Sequence, residues 1–438
     1  MSEQCDLIRS EYLIIGNSAG GIGAVEAIRE IDKVGTITVV SEEPYPAYSR
    51  PLISEYLSNE RNIDDMLLRP SNFYDRHNIN LLLGKKVCRL DHEQSLAELD
   101  NGVHLMWKKL LLATGGVPIM PPMDGYNKNG VFTFLTLGDA TRVADFVKEG
   151  QHAVVIGGGL IGISVTEALV KRGVAVTVIE MKDRVLNTIL DAEASAIVET
   201  KLKQAGVNII TDHTVSKIEG NTGVEGVLLN DNERLPCDLV IIAIGVLPRT
   251  ELVSAAGIKV NRGIIVDRYM VTSYPNIYSC GDAAEAYDFI YDANRVIPIW
   301  PNAYIGGKTA GYNMAGVPTR YFGSTAMNSI NYFGLDIATA GVAATPDNGQ
   351  YEIISQRHNG SYKKLMLKDN YITGMIFIGD IEKSGIVFGL MRGHVNVEEF
   401  KQDLLADDFG LACLPSQTLN KHLGLLHVNK ETVVAGSF

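Results

Sequence analysis

The sequence has few cysteines, and none is spaced for a metal site or a disulfide framework. The five are scattered over 438 residues, an odd number without any C-x-x-C pair: Cys5, Cys88, Cys237, Cys280 and Cys413. Secreted domains stabilised by disulfides carry dense, paired cysteines instead. The first residues also lack the basic and apolar regions of a secretory signal. We therefore expect a cytoplasmic protein with no metal site.

Long apolar runs and an excess of positive charge are also missing. No run approaches the roughly 18 apolar residues of a membrane-spanning helix, so we expect no membrane span. With 39 basic and 51 acidic residues, the net charge is −12, which disfavours binding to nucleic acid or to anionic membranes. The length predicts two or three globular domains. Glycine is abundant, with 43 residues, and indicates many close backbone approaches.

The first informative pattern is a strand, a glycine turn and a helix near the N-terminus. An apolar strand over residues 12–16 leads into the turn Gly16–Gly21, and a second strand over residues 36–40 is followed by Glu42. Such a turn lets the backbone approach a pyrophosphate at the helix N-terminus, while the later acid binds ribose hydroxyls. Ser18 replaces the middle glycine, but it is small enough for close approach and its hydroxyl can donate to phosphate.

The same unit occurs a second time about 140 residues later. Gly157, Gly159 and Gly162 complete a G-x-G-x-x-G turn after the apolar strand 153–156, and Glu180 follows the next strand. The two copies are too far apart for the 20- to 50-residue period of stacked repeats. Two further apolar strands, 110–116 and 239–245, each end in glycine and are expected to close one unit each. The chain is therefore predicted to bind two dinucleotides.

This arrangement resembles the pyridine nucleotide-disulfide oxidoreductase superfamily over nearly the whole chain. In that superfamily the first unit holds FAD and the second holds NAD(P)H. The resemblance implies an α/β fold with two Rossmann-like, glutathione-reductase-like domains and a small α+β C-terminal domain. We expect the FAD-binding domain at 1–117 and 246–320, the NAD(H)-binding domain at 118–245, and the C-terminal interface domain with its tail at 321–438.

The resemblance also assigns residues to each nucleotide. The expected FAD contacts are Gly16, Ser18, Gly20, Gly21, Glu42, Glu43, Ser49, Arg50, Pro51, Val87, Ala113, Thr114, Gly115, Gly281, Asp282, Trp300 and Ala303. The expected NAD contacts are Gly157, Gly159, Leu160, Ile161, Gly162, Glu180 and Gly245. Asp282 is expected at the ribityl chain, and a helix N-terminus near Trp300 is expected at the flavin ring, where negative charge develops on reduction.

Arg50 is the residue that separates branches of the superfamily. The thiol-dependent reductases, peroxidases and water-forming oxidases carry a redox-active cysteine in this neighbourhood. The Ser49–Pro51 form (Ser-Arg-Pro) instead resembles rubredoxin and ferredoxin reductases and the flavin module of assimilatory nitrite reductases. A cation near the flavin stabilises the anionic reduced ring, so Arg50 is the predicted catalytic residue; a phosphate clamp or a surface ion pair is the alternative. Cys280 is expected to be buried by packing rather than redox-active.

The acid of the second unit favours NADH as the donor. Glu180 would pair with a ribose 2′-hydroxyl and repel the extra phosphate of NADP. Arg184 could still accommodate that phosphate. Ser164 stands where many relatives have a glutamate near the nicotinamide.

These residues predict an FAD-dependent NADH oxidoreductase that exchanges electrons with a one-electron carrier, an iron–sulfur protein of ferredoxin or rubredoxin type. An NADH oxidase or thiol/disulfide reductase is one alternative. A non-catalytic or complex-dependent subunit that binds flavin and NAD is another. The basic residues of segment 351–395 form either a docking surface for an acidic carrier or a solvated face; they are Arg357, Lys363, Lys364, Lys368, Lys383 and Arg392. A homodimer and a larger redox complex are both compatible with the sequence, and the tail 407–438 could dock on a neighbouring subunit.

Overall fold

A computed structural model describes residues 7–344, 349–358, 360–406, 408–415 and 419. The chain divides into two compact units, the first within residues 1–183 and 203–325 and the second within residues 184–202 and 326–438. Most of the predicted tail 407–438 lies outside the described residues. None of the helices in the described part of the chain is long and apolar enough to cross a membrane.

The helices of the described residues are α1 (Ala19–Ile31), α2 (Ile53–Leu57), α3 (Phe73–Arg76), α4 (Leu137–Phe146), α5 (Leu160–Lys171), α6 (Ala192–Gln204), α7 (Glu251–Ala255), α8 (Trp300–Met314) and α9 (Ser384–Arg392). The strands of the first half are β1 (Leu7–Ile15), β2 (Ile37–Ser41), β3 (Ile79–Leu83), β4 (Val87–Asp91), β5 (Leu96–Leu99), β6 (His104–Leu112), β7 (Gly116–Pro118), β8 (Val131–Thr133), β9 (His152–Ile156), β10 (Ala175–Ile179) and β11 (Asn208–Ile210). The remaining strands are β12 (Val215–Glu219), β13 (Gly226–Leu229), β14 (Arg234–Pro236), β15 (Leu239–Ile242), β16 (Val246–Pro248), β17 (Ile264–Ile265), β18 (Ile277–Ser279), β19 (Ala284–Asp288), β20 (Ala293–Val296), β21 (Met327–Tyr332), β22 (Leu335–Gly341), β23 (Glu352–His358), β24 (Ser361–Lys368) and β25 (Tyr371–Ile378).

The first nucleotide unit is built on a sheet with the order β3-β2-β1-β6-β5-β4, and β18 also pairs with β6. β1 runs parallel to both β2 and β6, and β18 runs parallel to β6. Leu13 and Ile14 are fully buried in the middle of β1, which is typical of a parallel strand covered on both faces. β1 begins at Leu7, earlier than the predicted residue 12, because its first half continues the ladder with β6.

The second nucleotide unit has a parallel sheet with the order β11-β10-β9-β15-β8, beside the antiparallel sheet β12-β13-β14. The predicted strand 239–245 is β15, which pairs with β9 in parallel register. Both glycine turns therefore follow a strand that has a parallel neighbour on each side, at its carboxyl end, where Rossmann-type sheets bind their ligands.

Helix α8 packs closely on α1 because glycines line their interface. A Cβ at Gly307 would lie 2.0 Å from the carbonyl oxygen of Gly20, and one at Gly311 would lie 2.5 Å from the carbonyl oxygen of Ala24. Only glycine permits this approach. The N-terminus of α8 at Trp300, where the sequence predicted a helix N-terminus, is thereby fixed beside the first glycine turn.

The second compact unit contains the antiparallel sheet β21-β22-β25-β24-β23 with α9 beside it. β24 and β25 are joined at Lys368 and Tyr371 by a two-residue loop. Asp369 and Asn370 have φ values of 52° and 65°, the positive angles that a type I′ hairpin turn requires. β24 and β25 therefore form an antiparallel hairpin.

For Lys363 and Lys364, the prediction of a docking surface or a solvated face is wrong. Lys363 is 3% exposed, and its Nζ lies 2.6 Å from the Asp380 carboxylate. The Nζ of Lys364 lies 2.7 Å from Asp191, whose carboxylate also accepts a hydrogen bond from the Tyr362 hydroxyl. Both charges are paired inside the second compact unit, and the nearly complete burial of Lys363 makes such a partner necessary.

Candidate functional site

The first glycine turn is shaped by backbone contact across the sheet. Gly16 has a φ of +120°, and a Cβ there would lie 2.0 Å from the carbonyl oxygen of Ala113. A Cβ at Gly21 would lie 2.1 Å from the carbonyl oxygen of Gly16. Ser18 is the N-cap of α1, but its hydroxyl makes no cap hydrogen bond to the helix. The turn therefore presents a helix N-terminus and an available hydroxyl, as expected for a pyrophosphate site.

Asn17, inside this turn, carries a buried donor without an acceptor. Its Oδ1 accepts a hydrogen bond of 2.9 Å from the Tyr74 hydroxyl, while its Nδ2 is buried and has no hydrogen-bond partner. Leaving a buried N–H unpaired costs roughly 1–3 kcal/mol. A bound group that offers an acceptor at the turn would remove this cost.

The second glycine turn repeats the same geometry. A Cβ at Gly157 would lie 2.5 Å from the carbonyl oxygen of Ala243, and one at Gly162 would lie 1.9 Å from the carbonyl oxygen of Gly157. Gly159 is the N-cap of α5, and a Cβ there would meet nothing within 4 Å. Open space thus lies before the first turn of α5, at Leu160 and Ile161.

The acid of the second nucleotide unit is held by the backbone of its own turn and of the residues that follow it. Glu180 is 8% exposed. Its Oε2 accepts a hydrogen bond of 2.7 Å from the Gly158 N–H, and its Oε1 accepts one of 2.9 Å from the Lys182 N–H. Each carboxylate oxygen has a second lone pair for a ribose hydroxyl. Arg184, the other residue considered for nucleotide preference, belongs to the second compact unit.

The acid of the first nucleotide unit is held by side chains instead. Glu42 forms an ion pair with Arg249, and Lys86 Nζ lies 3.7 Å from its other carboxylate oxygen. Burial alone would raise the pKa of Glu42, but Arg249 and Lys86 hold this pKa below its usual range. Arg249 follows β16 and has a buried Nε without a partner.

Arg50 lies in a chain of hydrogen bonds that crosses from the first nucleotide unit to α4. Its guanidinium pairs with Glu43, and the Tyr48 hydroxyl donates to the other oxygen of Glu43 at 2.6 Å. The Tyr48 hydroxyl in turn accepts a hydrogen bond of 2.8 Å from the N–H of Leu137, the first residue of α4. Glu43, an expected FAD contact, is thus the ion-pair partner of Arg50.

Residues 280–282 bring a distant segment to the first turn. Burial raises the pKa of Asp282, and the nearby positive charge of Arg50 opposes that rise. Cys280 is 1% exposed, and its Sγ would lie only 2.7 Å from a Cβ at Gly20. Burial raises the pKa of the Cys280 thiol to about 12. The predicted burial of Cys280 is confirmed, and its thiol stays protonated at neutral pH.

The aromatic pair at the start of α8 adds a third unpaired buried donor. The rings of Trp300 and Tyr304 are parallel, with centroids 6.4 Å apart. Trp300 Nε1 is buried without a partner, like the donors of Asn17 and Arg249. All three lie on segments predicted to contact FAD or paired with such a contact, so the residues present fit this group.

The other predicted residues lie in the first compact unit as well. Ala113, Thr114 and Gly115 follow β6; Ser49 and Pro51 flank Arg50; Val87 begins β4; Gly281 precedes Asp282; Ala303 lies in the first turn of α8; Ser164 lies on α5; and Gly245 precedes β16. Sequence reasoning did not single out Asn17, Tyr74 or Arg249. Asn17 lay within the glycine motif, whereas Arg249 carried no signal because its partner is 207 residues away. Within the described part of the chain, no group of three His, Cys, Asp or Glu side chains could hold a metal ion.

Comparison with known families agrees with this geometry. The family model of pyridine nucleotide-disulphide oxidoreductases matches residues 10–307, and that of the rubredoxin NAD+ reductase C-terminal domain matches residues 327–394. The chain belongs to the pyridine nucleotide-disulphide oxidoreductase family, whose members use FAD and NAD(P)H. The predicted family, fold class and cofactor class are confirmed.

Two of the relatives are named as subunits of larger enzymes. The chain is 33% identical over 387 residues to the assimilatory nitrate reductase electron transfer subunit of Bacillus subtilis (strain 168), covering 88% of this chain and 49% of that protein. It is 29% identical over 401 residues to the NADH-dependent phenylglyoxylate dehydrogenase subunit epsilon of Aromatoleum evansii, covering 91% and 95%. It spans about half the length of the Bacillus relative.

A solved structure extends the likeness to the whole fold. Putidaredoxin reductase, crystallised in a covalent complex with putidaredoxin, superimposes with a TM-score of 0.83 at 26% identity. The match covers 96% of this chain and 99% of that one.

Proposed function

We propose that this chain is an NADH-dependent FAD oxidoreductase that exchanges electrons with an iron–sulfur carrier of ferredoxin or rubredoxin type. One NADH gives up a hydride, which equals two electrons and a proton. Two carrier molecules each take one electron, and the proton goes to solvent. The chemistry that FAD supplies when bound is the exchange between two-electron and one-electron transfer. The C-terminal rubredoxin NAD+ reductase match and the likeness to putidaredoxin reductase support this carrier class.

The observation that carries the proposal is the cation at residue 50. Arg50 pairs with Glu43 and lies close enough to Asp282 to act on its pKa. Of the four described cysteines, Cys237 and Cys280 are buried with pKa values raised to about 12, while Cys88 lies exposed on β4 and Cys413 lies in the second unit. We therefore propose that none of these four described thiols relays electrons and that the role of Arg50 is to present positive charge.

The FAD contacts that we propose divide into four groups. The first turn and its acids contribute Gly16, Ser18, Gly20, Gly21, Glu42 and Glu43. The segment around Arg50 contributes Ser49, Arg50 and Pro51. The ends of the neighbouring strands contribute Val87, Ala113, Thr114 and Gly115. The return segment contributes Gly281, Asp282, Trp300 and Ala303. The unpaired donors of Asn17 and Trp300 support this assignment.

The NAD(H) contacts that we propose all come from one stretch of chain. They are Gly157, Gly159, Leu160, Ile161, Gly162, Glu180 and Gly245. The buried carboxylate of Glu180 supports a preference for NADH, because a 2′-phosphate beside it would be repelled. We assign the FAD-binding domain to 1–117 and 246–320, the NAD(H)-binding domain to 118–245 and the C-terminal domain to 321–438. A cytoplasmic location fits the unpaired state of the described cysteines.

A second candidate is a subunit that works only within a larger redox complex. This candidate is favoured by the match to subunit epsilon of the phenylglyoxylate dehydrogenase, because the chain covers 95% of that protein. Such a subunit would bind both nucleotides and accept electrons from NADH, but it would turn over slowly with free carriers. A homodimer is compatible with either candidate.

Anaerobic stopped-flow absorbance tests the proposal. The purified protein is first mixed with NADH or NADPH while the absorbance of oxidised flavin at about 450 nm is followed. The reduced protein is then mixed with ferredoxin, rubredoxin, oxygen or a disulfide substrate. We expect rapid bleaching by NADH, slower bleaching by NADPH, and reoxidation fastest with an iron–sulfur carrier. Bleaching without reoxidation by any free carrier favours the subunit candidate. Absence of a flavin band overturns the proposal.

A thiol titration before and after NADH reduction separates the reductase from a thiol-dependent enzyme. We expect the same thiol count in both states, whereas two additional thiols after reduction would contradict the proposal. Arg50→Gln should slow carrier reduction about tenfold or more, since a charge-assisted interaction with the reduced ring is lost. Cys280→Ala is the matched control and should leave that rate unchanged.

A further inference from the structure

Arg249 has contacts that a surface ion pair does not explain. Its guanidinium pairs with Glu42, yet its Nε is buried and has no hydrogen-bond partner. An exposed ion pair contributes little to stability, typically below about 1 kcal/mol. Burying an N–H without an acceptor costs more than that. An additional acceptor at Nε would therefore stabilise this position of the side chain.

The backbone of Arg249 is fixed at a second predicted cofactor contact. Its N–H donates to the carbonyl oxygen of Gly115 at 2.9 Å, and its carbonyl oxygen accepts from the Thr114 hydroxyl at 3.2 Å. The preceding residue, Pro248, is paired with Gly116 in the short β16–β7 ladder. Arg249 thus connects the turn after β6 to the acid after β2, two segments that are far apart in sequence.

The charge around Glu42 also points to an anionic ligand. Arg249 and Lys86 both face this single carboxylate, which leaves the local cluster with a net positive charge. Arginine offers five N–H donors in a planar fork that matches phosphate oxygens. Of the nitrogens in that fork, Nη1 donates a hydrogen bond to Glu42.

We propose that Arg249 binds the adenosine diphosphate half of FAD through its phosphates, in addition to pairing with Glu42. This inference rests on the proposed function, because it assumes that the first nucleotide unit holds FAD. Arg249, which follows the second nucleotide unit in the chain, would then contribute to the FAD site. Glu42 would orient its guanidinium.

Titration of FAD into the apoprotein tests this role, with quenching of flavin fluorescence as the readout. Arg249→Gln should raise the dissociation constant of FAD by about 10- to 100-fold, the usual range for losing hydrogen bonds to a charged group. Arg249→Lys should recover part of the affinity, because the charge remains without the fork. Arg234, whose Nε already donates to Glu219 at 2.6 Å, provides the matched control; Arg234→Gln should leave the constant unchanged.

A double-mutant cycle with Glu42→Gln separates direct binding from a purely structural ion pair. If Arg249 contacts the phosphates, Arg249→Gln keeps most of its cost in the Glu42→Gln background, and that cost shrinks as salt rises. If Arg249 acts only on Glu42, the cost disappears in that background and the inference is overturned. Unchanged affinity in the single variant overturns it as well. Failure of the wild-type apoprotein to bind FAD would instead overturn the proposed function.

Discussion

The two glycine turns have the same backbone but hold their acids in different ways. In both, a Cβ on the last glycine would lie 2.1 or 1.9 Å from the carbonyl oxygen of the first glycine, so no side chain fits there. Glu180, however, is buried and bonded to two backbone N–H groups of residues 158 and 182. Glu42 is half exposed and paired with the side chains of Arg249 and Lys86.

This difference fits a cosubstrate that leaves and a cofactor that stays. The contacts proposed for NAD(H) lie within residues 157–245, and backbone N–H groups of Gly158 and Lys182 position the Glu180 carboxylate without a ligand. The first site is assembled from segments up to 207 residues apart, and three donors remain unpaired around it. A resident group that offers acceptors to these donors gains affinity, because buried N–H groups without acceptors are costly.

The largest expected effect is loss of one nucleotide without the other. Gly21→Ala should weaken FAD binding and Gly162→Ala should raise the KM for NADH, each by about 10- to 100-fold, because the new Cβ meets a backbone oxygen that cannot move aside. Flavin content and steady-state kinetics measure the two. Gly138→Ala on α4, where a Cβ would make ordinary contacts of 3.7 Å or more, is the control. Loss of both nucleotides in either variant would contradict independent turns.

The two acids should differ in their contribution to stability. Glu180→Gln keeps only one acceptor oxygen for two backbone donors, so the apoprotein should lose roughly 1–3 kcal/mol of unfolding free energy. Glu42→Gln breaks a largely exposed pair and should cost less than about 1 kcal/mol. Chemical denaturation measures both. Equal losses would show that the backbone contacts of Glu180 do not stabilise its turn.

Asp282 should reveal the cost of bringing a distant carboxylate to the first site. Because burial raises its pKa in the folded state, the penalty is absent below the unfolded pKa of about 3.8 and is full once the pH exceeds the folded pKa. Asp282→Asn should therefore stabilise the apoprotein at pH 7 by roughly 0.5–2 kcal/mol and weaken FAD binding. Thermal unfolding at pH 7 and at about pH 3, which lies below both pKa values, measures the change in stability. The same gain at the lower pH would contradict the prediction.

The smallest effect is expected when Ser18 in the first glycine turn is replaced by glycine, the residue at the matching position of the second turn. Ser18→Gly removes a hydroxyl that makes no cap hydrogen bond to α1, so stability should change by less than about 0.5 kcal/mol. FAD affinity should fall by less than about tenfold, the loss of one hydrogen bond to phosphate. Fluorescence titration measures this change, and a larger loss would make Ser18 a principal FAD contact.

Local patterns predicted the elements of this fold but not their partners. The glycine turns, the acids after β2 and β10, and the β24–β25 hairpin follow from residues within about 25 positions of one another, since strands, turns and helix starts are set by local backbone preferences. Lys363 and Lys364 show where this reasoning fails. A charged pair in sequence reads as a surface, yet here each lysine faces a carboxylate across the second unit.

The sequence by itself determined that two dinucleotide units are present, that residue 50 is a cation rather than a thiol, and that an acid follows each second strand. Each of these is a matter of residue identity and short spacing. Only the tertiary structure decided that Arg249 pairs with Glu42, that Glu43 holds Arg50, and that Cys280 packs against Gly20. Such contacts depend on which strands become neighbours in a sheet, and that choice is made by burial of the whole apolar surface rather than by any local pattern.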